Sequence, residues 1–158
     1  MTSAQEHVQV DHVQVDHAQL LDALGDAVVV CDGAGAIIFW NRAAERMFGF
    51  TRAEALGASL DIIIPERQRK RHWDGYFETM RTGVTRYGSA LLRVPALHKD
   101  GHALSIAFTV ALLSGADGKA TSIVSMIRDE TERWKEERAL QRRVAELEAK
   151  AGQTPHPQ

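Results

Sequence analysis

Apolar residues recur at every second position between 104 and 112, a period that is typical of a β-strand with one buried face. These residues are Leu104, Ile106, Phe108, Val110 and Leu112. Strand-like segments at 87–98 and 119–127 flank this region, and Asp-Gly pairs at 100–101 and 117–118 lie between them. Because Asp-Gly favours tight turns, the pattern predicts three antiparallel strands joined by hairpins.

The N-terminal half predicts a further hairpin. Residues 27–31 and 36–40 are rich in β-branched and aromatic side chains, and the sequence Asp-Gly-Ala-Gly at 32–35 separates them. Together with the three later strands, this hairpin predicts a five-stranded antiparallel sheet. The intervening segments have helical patterns, so the predicted fold class is α+β, with short helices covering one face of the sheet.

Capping signals place the short helices. Asp16 begins a flanking helix that Gly25 ends, and Asn41 begins another that ends at Gly49. Thr51 and the glutamate three residues later have the spacing of a capping box, which predicts one more helical turn.

The segment 66–81 follows Pro65 and predicts a longer, basic helix. His72, Tyr76 and Met80 recur on it at steps of four, so they share one face with neighbouring aromatic residues. Aromatic faces are usually buried. We therefore predict that the imidazole of His72 points into the interior.

Residues 130–151 predict a C-terminal helix with a narrow apolar seam formed by Leu140, Val144 and Leu147. Steps of four and three are typical of a coiled coil, and charged residues flank the seam. We interpret the segment as a weak dimerisation helix, which makes a homodimer the expected assembly. The alternative is a solvated helix that packs on its own domain.

Composition narrows the expected partners and location. The chain of 158 residues carries 19 basic and 21 acidic side chains, and its formal net charge of -2 provides no field for direct nucleic-acid binding. No apolar stretch has the length of a bilayer crossing, and the N-terminus lacks the pattern of a signal peptide. Cys31 is the single cysteine and lies in an apolar run, as a core residue would. A cytoplasmic protein without membrane contact is expected.

A histidine-containing repeat near the N-terminus raises the question of metal binding. The sequence His-Val-Gln-Val-Asp occurs at 7–11 and again at 12–16. A period of five puts successive histidines on different faces of any regular element, which disfavours a shared metal ion. We interpret residues 1–15 as a flexible tail and residues 152–158 as a disordered one.

A second pair of histidines, His98 and His102, flanks Asp100 in a predicted turn. Side chains of alternating direction are not expected to converge on a cleft there, and no serine or cysteine nucleophile has a motif around it. The sequence therefore predicts no enzymatic activity.

Several segments, in order along the chain, resemble the PAS family of sensory domains. They are Asn-Arg-Ala-Ala-Glu-Arg-Met-Phe-Gly-Phe at 41–50, Glu-Ala-Leu-Gly at 54–57, Ile-Pro-Glu-Arg at 64–67, Lys-Asp-Gly at 99–101 and Arg-Asp-Glu-Thr-Glu at 128–132. The resemblance covers residues 17–135. It implies a PAS domain at 16–129 with strand order 2-1-5-4-3, followed by a signalling helix at 130–151.

Within that family, the segment around His72 is similar to the FixL-type haem oxygen sensors, in which the equivalent helix supplies the proximal iron ligand. The resemblance makes His72 the expected ligand of the iron of haem b, in a pocket with apolar walls. The implied walls are Ile62, Ile63, Tyr76, Met80, Leu92, Ile106, Phe108, Val110, Ile123 and Met126. Where those sensors place an arginine over bound oxygen, this chain has Leu92, and Arg93 is expected on the other face of the strand.

The resemblance implies a stand-alone sensory domain that passes a pocket event to a separate kinase or regulator. Arg128 and Asp129 are expected to couple the last strand to the C-terminal helix. Haem-based gas or redox sensing through His72 is the specific version of this function, with another small apolar ligand left open. The alternative is a ligand-free interaction module that regulates a separate kinase or transcription factor through dimerisation.

Overall fold

The computed structural model describes residues 14–152 and has one five-stranded antiparallel sheet with strand order β2-β1-β5-β4-β3. The strands are β1 (Ala27–Asp32), β2 (Ile37–Trp40), β3 (Leu92–Leu97), β4 (Ala103–Ser114) and β5 (Ala120–Asp129). The helices are α1 (His17–Ala23), α2 (Arg42–Phe48), α3 (Arg52–Ala55), α4 (Glu66–Thr82) and α5 (Thr131–Ala151), with a 3₁₀ turn at Leu60–Ile63. The predicted α+β class and strand order are confirmed.

Strand β5 lies in the middle of the sheet although it is the last strand along the chain. Ile127 pairs with Ala27 of β1 on one side and with Phe108 of β4 on the other. Both edges of β5 are therefore hydrogen-bonded, which joins the N-terminal hairpin to the C-terminal one.

The predicted helix caps are present. The Asp16 side chain accepts hydrogen bonds from the backbone N–H groups of Ala18 and Gln19 at the start of α1. Thr51 and Glu54 form the reciprocal capping box of α3. At the end of α2, Gly49 has φ +81, the left-handed conformation that a glycine adopts without strain.

Asn41 is the cap of α2 and also a buried junction. Its Oδ1 accepts hydrogen bonds from the backbone N–H of Ala44, at 3.0 Å, and of Val28, at 2.9 Å. Its Nδ2 donates to the carbonyl oxygens of Leu21, at 2.8 Å, and Asp26, at 3.2 Å. One fully buried amide thus connects α1, β1 and α2.

The segment predicted as a strand at 87–98 begins its pairing later, at Leu92. The hydroxyl of Thr85 accepts hydrogen bonds from the backbone N–H groups of Tyr87 and Gly88, and Gly88 has φ +52. This local turn competes with strand pairing and removes residues 87–91 from β3.

Helix α5 leaves the sheet and lies in solvent. Leu140, Val144 and Leu147 of the predicted seam are 66%, 45% and 51% exposed, and Trp134 is 49% exposed. The alternative of a helix packed on its own domain is therefore wrong for the seam, whereas dimerisation stays a prediction. The N-terminal repeat before residue 14 and the tail after residue 152 lie outside the described residues.

Replacing Asn41 with alanine should lower the free energy of unfolding by about 2–4 kcal/mol, because it leaves buried backbone groups of β1 and α2 without partners. Urea unfolding followed by circular dichroism measures the loss. The matched control is Asp16→Ala, which removes an exposed cap and should cost only about 0.5–1 kcal/mol. Equal losses for the two variants would contradict the junction role of Asn41.

Candidate functional site

A cavity of about 430 Å³ lies between the sheet and α4. Its walls come from β1, β3, β4 and β5, from the 3₁₀ turn and from α4. The volume falls in the range of small-molecule sites, about 300–1,000 Å³. The cavity is therefore large enough for a ligand rather than for one or two waters.

The strand side of the cavity is mainly apolar, because alternate residues of β1, β4 and β5 point to it. Strand β4 contributes the four residues Ile106, Phe108, Val110 and Leu112, and β5 contributes Ile123, Ser125 and Ile127. Strand β1 adds Val29 and Cys31, whose thiol is buried. The alternation seen in the sequence thus becomes one wall of the site.

His72 lines the cavity from α4, as its spacing predicted. Its Nδ1 is buried and has no hydrogen-bond partner among residues 14–152. Burial lowers the pKa of His72, and the nearby charge of Asp61 opposes this shift only in part. The imidazole is therefore neutral at physiological pH, the form that ligates metal ions.

Two aromatic side chains that follow His72 fix the helix that carries it. The indole Nε1 of Trp73 donates to Oδ1 of Asp61 at 2.8 Å, and the Tyr76 hydroxyl donates to the carbonyl oxygen of Asp32 at 2.5 Å. The Trp73 ring also fills the space where Gly35 lacks a Cβ. These contacts hold α4 against the first hairpin and so set the direction of His72.

The structure brings most of the predicted pocket residues together. Besides His72, the cavity is lined by Ile63, Tyr76, Leu92, Ile106, Phe108, Val110 and Ile123.

The placement of Met80, Met126 and Ile62 in the cavity wall is wrong. Met126 is 45% exposed and points to the opposite face of β5, because it lies an odd number of residues from Ile123. Met80 instead packs beside Gly33, with its Cε 3.5 Å from the position of a Cβ there. Ile62 packs on the core outside the cavity lining.

The register of β3 places Leu92 in the cavity and Arg93 on the opposite face. Nε of Arg93 donates to Oε2 of Glu130 at 3.1 Å. The cavity side of β3 therefore presents the apolar side chain of Leu92, and the Arg93 guanidinium lies outside the cavity lining.

Sequence reasoning missed the polar side of the cavity, which is formed by Gln68, Arg71 and Arg86. Arg86 reaches it from the segment after α4, and its Nη2 lies 3.8 Å from the position that a Cβ on Gly75 would occupy. The glycine in the middle of an otherwise regular helix was the available signal, since such a glycine often marks a close approach.

The sequence predicts side chains of alternating direction in this turn, but His98, Asp100 and His102 lie close together at the surface. Nδ1 of His102 lies 2.5 Å from Oδ1 of Asp100, and Nδ1 of His98 lies 3.1 Å from the same oxygen. The two imidazole rings stack, with centroids 4.5 Å apart. Backbone turn geometry, rather than strand alternation, decides these directions.

The junction of β5 and α5 is held by several hydrogen bonds. Arg128 donates to both carboxylate oxygens of Asp26, at 3.0 and 2.8 Å, and thereby lowers the pKa of that carboxyl. Oδ1 of Asp129 accepts from the backbone N–H of Thr131, at 2.9 Å, and the Thr131 hydroxyl accepts from the backbone N–H of Ser105. The start of α5 is thus tied to β4 and to the segment before β1.

Comparison with known proteins decides the family. The family model described as the PAS fold matches residues 16–129. The chain belongs to the PAS family. The PAS domain of a protein from Colwellia psychrerythraea has a solved structure that superposes with a TM-score of 0.64 at 24% identity, covering 73% of this chain and 94% of that one.

Two curated relatives of this PAS domain have sensor names. It is 33% identical to Sensor protein FixL of Bradyrhizobium diazoefficiens over 130 residues, which cover 81% of the chain and 25% of that protein. It is 28% identical to Oxygen sensor protein DosP of Escherichia coli over 93 residues, which cover 59% of the chain and 11% of that protein. The chain thus spans a quarter or less of these relatives, and the match supports a sensory role.

Across residues 14–152 of this PAS domain, no helix combines the length and the apolar character that a membrane crossing requires.

Cys31 should react only slowly with thiol reagents in the native protein, because burial raises the pKa of its thiol to about 12. At pH 8 the thiolate fraction is then roughly 10³-fold lower than that of a free cysteine. Reaction with Ellman's reagent, with and without urea, measures the difference. Rapid labelling of the folded protein would contradict the buried position of Cys31 at the cavity wall.

Proposed function

We propose that this PAS domain is a sensor that binds a small ligand in the cavity and passes the binding event through β5 to α5. The observation that carries the proposal is a mainly apolar cavity of about 430 Å³ with the neutral imidazole of His72 on its wall. A buried polar nitrogen without a partner, in the part of the chain that the structure describes, costs roughly 1–3 kcal/mol, and a ligand would remove that cost.

Haem b is the specific ligand that we propose. When bound, it supplies an iron that binds small gases or changes oxidation state. The residues present fit such a group: His72 offers a neutral imidazole, and the strand residues offer apolar walls. Arg71 and Arg86 offer guanidinium groups, which pair well with carboxylates such as the two propionates of haem.

The other residues of the cavity wall would set the polarity of the space around such a ligand. Phe108, Val110 and Leu112 exclude water from the space opposite α4. Leu92 contributes no hydrogen-bond donor at the position that is an arginine in the FixL-type sensors. A gas held there would be selected by the size and apolarity of the wall, so we propose a discrimination between gases that differs from theirs.

The names of two relatives support this proposal, because the proteins that match this chain include Sensor protein FixL and Oxygen sensor protein DosP. The buried Cys31, which has no disulfide partner in the chain, is compatible with a reducing cytoplasm.

After titration with haemin, the unchanged protein should show a Soret band at the position and intensity of imidazole-ligated haem. Replacing His72 with alanine should abolish this band. The loss follows because the variant lacks the neutral nitrogen that would hold the iron. Absorption spectroscopy of the two proteins, after removal of free haemin by gel filtration, makes the measurement.

The control for this experiment is His17→Ala, which removes an exposed histidine from α1 and should leave the spectrum unchanged. Unchanged circular dichroism must show that the His72 variant is folded. If the unchanged protein elutes without haem, or if His72→Ala binds haem with the same spectrum, the haem proposal is wrong.

A second candidate function is a ligand-free interaction module, and the exposed seam of α5 favours it. Leu140, Val144 and Leu147 together with Trp134 place apolar surface in solvent, where a second copy of the helix would cover it. We propose a homodimer through this seam, acting on a separate kinase or regulator. Colourless protein with the same dimerisation would favour this function over ligand sensing.

Haem binding should change the distance between spin labels placed at position 142 in the two copies of α5. The change is expected because β5 both lines the cavity and continues into α5, and Arg128→Ala should reduce it by releasing Asp26. Pulsed electron resonance on the Arg142→Cys protein, with and without haem, measures the distances.

The control is Arg81→Ala, which breaks an exposed ion pair with Glu78 on α4 and should leave the change intact. Identical distance distributions with and without haem would exclude the relay, and the absence of any interspin distance would exclude the homodimer.

A further inference from the structure

The turn between β3 and β4 gathers three metal-ligand side chains at the surface, away from the cavity. His98, Asp100 and His102 each offer one ligand atom, and these three atoms all lie within 4.8 Å of one another. Imidazole nitrogen and carboxylate oxygen are the ligands that Zn²⁺ takes in proteins besides thiolate. The spacing His-x-Asp-x-His reaches this arrangement because Gly101, with φ +91, reverses the chain between the ligands.

The ligand residues His98 and Asp100 already lie close together. Nδ1 of His98 lies 3.1 Å from Oδ1 of Asp100 and 3.2 Å from the backbone nitrogen of the same residue. The imidazole and the carboxylate are thus near enough for one cation to contact both.

Contacts with the rest of the domain hold the proposed ligand residues in place. The backbone N–H of Lys99 donates to the carbonyl oxygen of Phe48 at 2.8 Å. The His98 ring lies over Gly49, where a Cβ would come within 2.6 Å of its Cε1. Oδ1 of Asp100 also accepts the backbone N–H of His102 at 3.0 Å. A site with ligands fixed before binding loses less entropy when the ion arrives.

The local charges also favour a cation. Lys99, the cation nearest in sequence, is paired with Glu54 at 2.5 Å. The backbone N–H of His102 and the two imidazoles lower the pKa of Asp100, so this carboxyl is ionised at neutral pH. The side chains of Asp100 and His102 are 61% and 54% exposed, which leaves a route for an ion and room for water ligands.

We propose that His98, Asp100 and His102 form a binding site for a divalent transition-metal ion of the Zn²⁺ class, with water completing the coordination. Two imidazoles and one carboxylate suit Zn²⁺, Cu²⁺ or Ni²⁺ better than Mg²⁺ or Ca²⁺, which prefer oxygen ligands. The bound ion would join the ends of β3 and β4. The site is separate from His72, so it stands independently of the proposed haem function.

Zinc titration of the full chain, with a chromogenic chelator as competitor, tests the site. Asp100→Asn keeps the shape of the side chain but removes its charge, and His102→Ala removes one imidazole. Each substitution should lower the affinity for one zinc ion per chain. The loss should exceed roughly 10–100-fold, which is the usual cost of removing a residue that only hydrogen-bonds to a metal ligand.

Two controls separate this site from other histidines and from general damage to the turn. Lys99→Ala changes the turn without removing a ligand and should keep the affinity. A variant with His7, His12 and His17 changed to glutamine lacks the N-terminal histidines and should bind the same zinc ion with unchanged affinity. Co²⁺ in place of Zn²⁺ should give visible absorption bands that Asp100→Asn abolishes. Equal zinc affinity of Asp100→Asn, His102→Ala and the unchanged chain would overturn the proposal, as would loss of this zinc ion in the N-terminal variant.

Discussion

Backbone hydrogen bonding on both edges of β5 is the constraint on which the rest of this PAS domain depends. The strand pairs with β1 over Ala27 to Asp32 and with β4 over Ile106 to Ser114. It therefore connects two hairpins that are far apart in the sequence. Its alternate residues face the cavity, and only Glu130 separates its last residue from α5. Strand β5 thus forms part of the cavity wall, occupies the centre of the sheet and leads to α5. Pairing on both edges follows because buried backbone groups need hydrogen-bond partners.

The position of α4 beside the cavity is set by contacts at fixed points. Trp73 is bonded to Asp61 and packs on Gly35, and Tyr76 is bonded to the backbone of β1. These aromatic contacts set how α4 lies against the first hairpin. Beside them, the chain places a histidine rather than an apolar residue at position 72. Burying an imidazole costs free energy, and such a cost is typical of a residue kept for binding rather than for stability.

Three histidines, His72, His98 and His102, occupy two opposite environments. His72 lies in an apolar cavity, and desolvation favours its neutral form. His98 and His102 lie beside the carboxylate of Asp100 at the surface. The same side chain is thus suited to an uncharged, water-excluded ligand in one place and to an exposed cation in the other. Position in the fold, rather than residue type, makes the difference.

The sequence alone determined the elements whose causes are local. The period of two in β4, the turns at Asp-Gly, the caps at Asp16, Asn41 and Thr51 and the inward face of α4 all follow from neighbouring residues. The family motifs added the strand order, which no local pattern contains. Residues close in the chain interact in nearly the same way in any fold, which is why these features are readable in advance.

Only the tertiary structure decided which side chains meet. It placed Met126 on the outer face through the register of β5, and it brought Arg86 over Gly75 to make the cavity partly polar. It also turned His98 and His102 onto one carboxylate oxygen. Each of these outcomes depends on a pairing register or a turn dihedral fixed by contacts distant in the sequence. A one-residue shift in strand register, or the rotation of a single backbone dihedral angle, reverses the direction of a side chain. The pattern of residue types does not predict such a change.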